Sequence, residues 1–140
     1  MSKKIKNIIL AIILGITGII IIVNIVYNKP HISVSEASPD ITLVSQKLLN
    51  DFENNEFESN SKYLDKIIEV NGTISEINVS ENKGIITLSN EGSMGGVICH
   101  LSPEEHTKIA SLKKGQNIKI KGICTGYLMD VILVKCIIIN

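Results

Sequence analysis

The chain has 140 residues, of which 44% are hydrophobic, 20% charged and 4% aromatic, with no Trp; that is room for one domain and little more. Fourteen basic residues balance fourteen acidic ones, and every basic residue is Lys. With no basic excess and no Arg to fork onto phosphate or guanine, the composition argues against a dedicated nucleic-acid binder.

Lys3, Lys4 and Lys6 stand ahead of a long apolar run. From Ile8 to Tyr27 no residue is charged, ten are Ile, and only Thr17 and Asn24 are clearly polar. Coiled as a helix this run measures ~30 Å, the thickness of a bilayer's hydrocarbon core. Each Ile contributes roughly −0.3 to −0.6 kcal/mol to insertion, which outweighs Asn24, Gly15 and Gly18. A cleaved signal peptide is the competing reading, with Ser35 and Ala37 as the small-x-small pair. Signal cores are ~7 to 15 residues with the cleavage site close behind, whereas this run is longer and Ala37 stands well beyond it. No Cys precedes Cys99, which excludes an acylated lipoprotein Cys. Residues 1–27 are therefore expected to form an uncleaved single-pass anchor in the plasma membrane. Three Lys before the span against Lys29 after it place the N-terminus in the cytoplasm by the positive-inside bias. The remainder, with 11 Lys against 14 acids, is about three charges negative and expected outside.

Residues 28–40 carry Pro30, Pro39 and several Ser without helical or strand period, and read as a linker. The domain is expected over 41–140. Val44, Leu48, Leu49 and Phe52 recur at helical spacing from Leu43 onward, with Thr42 as the candidate N-cap. Asn54 and Asn55 weaken or end this helix, and a shorter helical stretch over Phe57 to Tyr63 follows.

The period then changes to two. Ile68, Val70, Gly72 and Ile74 share one face, and Ile77 and Val79 continue on the other parity, so a bulge near Ser75 or Glu76 is expected. Glu81 to Gly84 make a hairpin turn into a strand with Ile86 and Leu88 on one face, and Asn90 to Gly96 turn into a third strand with Val97, Cys99 and Leu101. Ser102 as N-cap, Pro103 at the first helical position and Glu105 as return arm read as a capping box for a short helix through Ile109 and Leu112, ended by Gly115. Two last strands follow: Ile118, Ile120, Gly122 and Cys124 on one face, then Val131 and Leu133 after a turn at Gly126 to Met129.

Three meandering strands, a short helix and two strands joined by a turn are the element order of an OB barrel. The expected fold is mainly β (α+β): a five-stranded OB-fold barrel with a short helix between the third and fourth strands. One or two short helices and the transmembrane helix precede it.

The stretch from Tyr63 to Cys136 resembles the tRNA-anti-like OB-fold family, small bacterial proteins that are often membrane-anchored or exported. The resemblance rests on YLDKIIEVNG at 63–72, VICH at 97–100, LKKG at 112–115 and KGICTGYLMDVILVKC at 121–136, with NKPH at 28–31 and the helix before the barrel adding to it. Gly72, Gly115, Gly122, Gly126 and Asp130 are the motif positions. The resemblance implies the fold and, through the family's name, a nucleic-acid role.

Cys99, Cys124 and Cys136 all fall on strands of an exported domain, where one disulfide could form: Cys124 with Cys136, or Cys99 with Cys136 on neighbouring strands. Three buried thiols are the plainer alternative. Cys99, His100 and His106 lack close-spaced ligand pairs, and Cys99 and His100 point to opposite faces, so no metal is expected. Asp130 suits a turn-closing role better than a catalytic one. No Ser-His-Asp arrangement, phosphate-cradling Gly loop or HExxH helix occurs, so neither an enzyme nor a cofactor is expected. OB folds bind oligonucleotides on the second and third strands with aromatics and cations, and those strands hold no Phe, Tyr or Trp. Lys113, Lys114, Lys119 and Lys121 are the one basic cluster, a weak binding candidate whose commoner explanation is a solvated edge. The expected function is a membrane-tethered, non-enzymatic module binding an envelope protein, glycan or small ligand, with a nucleic-acid-binding OB domain as the alternative.

Overall fold

The computed structural model describes residues 1–28 and 33–140. Lys29, Pro30 and His31, which enter the charge bias and the NKPH motif, lie outside the described residues. Two compact units result, one up to Ile32 and one from Ser33 to Asn140.

The first unit is helix α1, Lys3–Tyr27, with a mean hydropathy of 3.0 over its most apolar 18 residues and no buried residue. It is long and apolar enough to cross a membrane. Its polar side chains are satisfied along the helix: Thr17 Oγ1 donates to the Ile13 carbonyl at 2.8 Å and Asn24 Nδ2 to the Ile20 carbonyl at 3.2 Å. That removes part of the cost of placing them in hydrocarbon.

The second unit opens with a segment that the sequence reads as linker. Residues 33–40 instead pack with the barrel: Val34 is buried, and Asp40 exchanges bonds with Ile67, its amide donating to the Ile67 carbonyl and its Oδ2 accepting the Ile67 amide, both at 2.8 Å. Strand β1, Ile41–Val44, follows and lies parallel to β2, Ile67–Ser80, with Ile41 opposite Ile68 and Val44 opposite Asn71. This corrects the helix start expected at Thr42. Ile41 and Leu43 are half-buried while Thr42 and Val44 are exposed, so a β-branched, two-residue alternation prevails over helical spacing up to Val44. Helix α2 then spans Ser45–Asn54 and buries Leu48, Leu49 and Phe52. Helix α3, Glu56–Tyr63, is capped by Asn55, whose side chain accepts the Glu58 amide at 3.1 Å.

The remaining strands are β3 (Lys83–Leu88), β4 (Val97–Leu101), β5 (Asn117–Leu128) and β6 (Asp130–Ile138). Their order is β1-β2-β3-β4-β6-β5, and β5 pairs back onto β2, so β2 to β6 close a five-stranded barrel with β1 as a sixth, added strand. Strand β2 serves both neighbours in turn. Its Ile67–Thr73 stretch pairs with β5 and its Ile74–Ser80 stretch with β3, with the register shift between Ile74 and Glu76. The bulge therefore sits where the change of parity put it. The β4–β6 pair is parallel, and the architecture is an OB fold.

Two local expectations are corrected. Ser102 makes no side-chain cap; a 3-10 turn, Pro103–Glu105, leads into α4, His106–Ile109. Glu105 is buried and bonds elsewhere, Oε2 accepting the Ile138 amide at 2.8 Å and Oε1 accepting Lys108 Nζ at 3.0 Å. An unpaired amide at the buried end of β6 costs more than an exposed cap gains, so the carboxylate goes there. The β5–β6 turn is also tighter than expected: Leu128 still pairs with Asp130, and Met129, at φ 66°, alone reverses the chain.

The core fills the barrel and both its ends. Ile120, Leu133, Val70, Ile86, Leu88 and Val97 are fully buried between the strands. Leu48, Leu49 and Phe52 of α2 join the same cluster, as does Ile109 of α4.

Candidate functional site

Strands β3 and β4 are the second and third of the barrel, the face on which OB folds bind. Their outward residues are the half-buried Ile85, Thr87 and Ile98 and the exposed Lys83 and His100. Pairing sets Ile85 beside His100 and Thr87 beside Ile98. This is a small, largely apolar surface with a single cation, Lys83, at the start of β3. The aromatics of the barrel unit are engaged elsewhere: Phe52 and Tyr63 are buried, and Tyr127 stacks on Phe52 with centroids 5.6 Å apart. Phe57 is exposed, but on α3.

The four candidate lysines do not form one exposed cluster. Lys113 and Lys114 lie exposed in the loop before β5, and Lys119 is exposed on β5. Lys121 is 7% exposed, and its Nζ donates to the Ala37 carbonyl at 2.8 Å and the Ser35 carbonyl at 3.4 Å. A lysine read as part of a binding cluster is thus a strap that holds residues 33–37 onto the barrel. Backbone carbonyls leave no side-chain signature, so nothing in the sequence marks Ser35 and Ala37 as its partners.

The motif positions serve the fold. Asp130 Oδ1 accepts the Gly96 amide at 2.7 Å, joining the starts of β6 and β4. Gly122 lies against Cys136 so closely that a Cβ there would overlap its Sγ. Gly115, at φ 87°, turns the chain into β5. Gly72 faces Ser45 at the start of α2, and Gly126 falls at a register shift in β5.

Cys99, Cys124 and Cys136 are buried free thiols, so neither of the two pairings considered from sequence is formed in this structure. Cys124 lies opposite Leu133 rather than Cys136. Burial pushes the Cys136 thiol well up, with the adjacent Cys99 adding to the shift, and burial pushes Cys124 up as well. Nucleophilic chemistry needs the opposite, a stabilised thiolate in an accessible place. Cys99 faces the core while His100 faces solvent, so the two do not share a site.

On the helices, Tyr63 Oη donates to Asp51 Oδ2 at 2.5 Å, with Lys47 at 3.1 Å and Lys62 at 3.7 Å from the same carboxylate. The Tyr63 hydroxyl, more than either lysine, holds the Asp51 carboxyl below its ordinary value. This cluster ties α2 to α3.

Comparison with known proteins agrees with this geometry. The sequence profile of a family described as tRNA_anti-like matches residues 1–138, so the match takes in α1 as well as the barrel. No curated protein matches the chain. A crystal structure of a lipoprotein from Klebsiella pneumoniae, described as a proposed nucleic acid-binding protein, superposes with a TM-score of 0.61 at 18% identity, over 70% of this chain and 91% of that one. A proposed aspartyl-tRNA synthetase from Leishmania major gives a TM-score of 0.51 at 12% identity, over 77% of this chain but 22% of that one. At these identities the likeness is one of fold.

Proposed function

The chain belongs to the tRNA_anti-like family, and from that premise we propose that it is a non-enzymatic OB-fold binding module of the cell envelope. In this reading α1 anchors it in the plasma membrane with Lys3, Lys4 and Lys6 on the cytoplasmic side. The length and hydropathy of α1 support the anchor, and the lysines ahead of it support the orientation.

The observation that carries the binding-module reading is the outer face of β3 and β4. Lys83, Ile85, Thr87, Ile98 and His100 offer a strand of nucleic acid no Phe, Tyr or Trp to stack on and only one lysine, and Lys121 is withdrawn under residues 33–37. Base stacking is worth ~1–3 kcal/mol per base in OB folds that use it. The nucleic-acid reading draws on the family's description and on the description of the Klebsiella lipoprotein; the residues on this barrel favour another ligand.

Topology is tested by adding protease outside intact cells whose outer layer is permeable. The reading expects digestion of the segment after Tyr27 and release of the barrel unit. Protection of the entire domain in such cells would overturn it.

A further inference from the structure

At one end of the barrel the chain leaves large apolar side chains in solvent. Leu128 and Met129, in the β5–β6 turn, are 79% and 72% exposed, and Met94, in the loop ahead of β4, is 94% exposed. Gly95 packs so closely on the Met129 carbonyl that a Cβ there would overlap it, so the loop and the turn form one surface. An open recess of about 430 Å³, lined by Tyr127, Leu128, Met129 and Glu56, joins that surface to the start of α3, where Phe57 is 84% exposed. Single exposed apolar residues are common on proteins; a group gathered at one end marks an interaction surface.

The turn is unusual in itself. Met129 sits at φ 66°, in the left-handed region where Gly, Asn or Asp is at ease and a Met is strained. Neither Leu128 nor Met129 belongs to the core, so an apolar pair here stabilises nothing inside the barrel. Glu56 is the one acid on the recess and no lysine lines it, so charge does not select what covers the surface. A bilayer lies within reach. Tyr27 ends α1 and Ser33 opens the barrel unit, and the chain between them covers at most ~22 Å when fully extended. The opening strap, residues 33–37, lies over Lys121, which precedes Leu128 on β5 by at most ~24 Å of strand. Tether and strand are of similar length, so the turn can come down onto the membrane. Held there, a surface too small to capture vesicles from solution meets lipid at a high effective concentration.

We propose that the Leu128–Met129 turn, with Met94 and Phe57 beside it, dips into the lipid surface of the bilayer that holds α1. The proposal goes beyond the binding-module reading and rests only on its membrane anchor. Apolar burial drives the contact, so it is insensitive to salt and needs no anionic lipid.

The chain has no Trp, so one introduced indole reports its own surroundings. Leu128→Trp and, in the exposed loop ahead of β5, Lys113→Trp are made in the full chain and reconstituted in phosphatidylcholine vesicles, plain or brominated on the acyl chains. Bromine quenches an indole that enters the acyl region. Brominated lipid should quench Leu128→Trp about twofold or more over Lys113→Trp, as expected of an apolar surface seated at the acyl boundary, and equally at low and high salt. Adding Met94→Asp and Met129→Asp to Leu128→Trp should return the quenching to the Lys113→Trp level; Asp tolerates the left-handed turn, and circular dichroism checks the fold. Equal quenching at both positions in chains that float with the vesicles, or quenching that survives both Asp substitutions, would overturn the lipid contact and leave the anchor standing. A blue-shifted emission without bromine quenching that grows with the protein-to-lipid ratio would overturn it in favour of a second copy of the chain. Chains that do not float with the vesicles would overturn both the contact and the anchor.

Discussion

Lys119 and Lys121 stand two positions apart on β5 and project from the same outer face, yet one is in solvent and the other is buried. The difference lies in what covers them. Over Lys121 the chain lays residues 33–37, whose Ser35 and Ala37 carbonyls receive its ammonium; Lys119, which neighbours Asn71 across the β2–β5 pair, is exposed among the described residues. Strand alternation fixes which face a side chain takes, but not whether another segment closes over that face. A run of lysines in the sequence is therefore not one surface, and here it divides into a strap and a solvated edge.

The largest effect should come from the layer beneath both lysines. Ile120 lies between them and points inward, and Leu133 lies on the paired strand; both are fully buried. Replacing either by Ala should cost roughly 2–5 kcal/mol in urea unfolding, a large share of the ~5–15 typical of a small domain. Costs below about 1 kcal/mol at both sites would mean that the inward and outward faces of β5 are assigned the wrong way round.

Lys121→Ala comes next. Losing two charge-assisted bonds in a buried setting should cost about 1–3 kcal/mol, and limited proteolysis should then cut within residues 33–40. Lys121→Met keeps most of the stem and isolates the ammonium's part. If Lys121→Ala proves as mild as Lys119→Ala, the contrast between strap and edge is broken.

The helices offer a third, smaller instance of a held polar group. Tyr63→Phe should cost about 0.5–1.5 kcal/mol at neutral pH by removing the bond to Asp51. Because the Asp51 carboxyl is lowered in the folded protein, first by Tyr63 and then by Lys47 and Lys62 against the opposing effect of burial, its contribution is present above the ordinary carboxylate value. It is lost as pH falls through the lower folded value. The gap between Tyr63→Phe and the parent chain should accordingly narrow below about pH 4; a gap that widens on acidification contradicts the assignment. Smallest of all, Lys113→Ala, Lys114→Ala and Lys119→Ala should each stay within about 0.5 kcal/mol of the parent.

The barrel was legible in the sequence wherever period and turn residues agree. The β2 bulge followed from a change of parity at Ser75, and the helix between the third and fourth barrel strands from Pro103 and the apolar spacing after it. Strand β1 was not legible, because Val44 fits the helical spacing of Leu48 as well as the alternation of Ile41 and Leu43. The role of Glu105 was hidden for a related reason: Ser102 and Glu105 have capping-box spacing, and only the fold brings the Ile138 amide to the carboxylate.

The claim that this OB barrel serves a ligand other than nucleic acid is tested most directly by fluorescence anisotropy. Full-length protein in zwitterionic nanodiscs would be titrated into labelled single-stranded DNA and RNA at two salt concentrations. Without aromatics on β3 and β4 and with Lys121 engaged, binding should remain at the non-specific level, ~10⁻⁴ to 10⁻⁶ M at physiological salt. A submicromolar Kd at physiological salt, weakening steeply as salt is raised, would contradict the account.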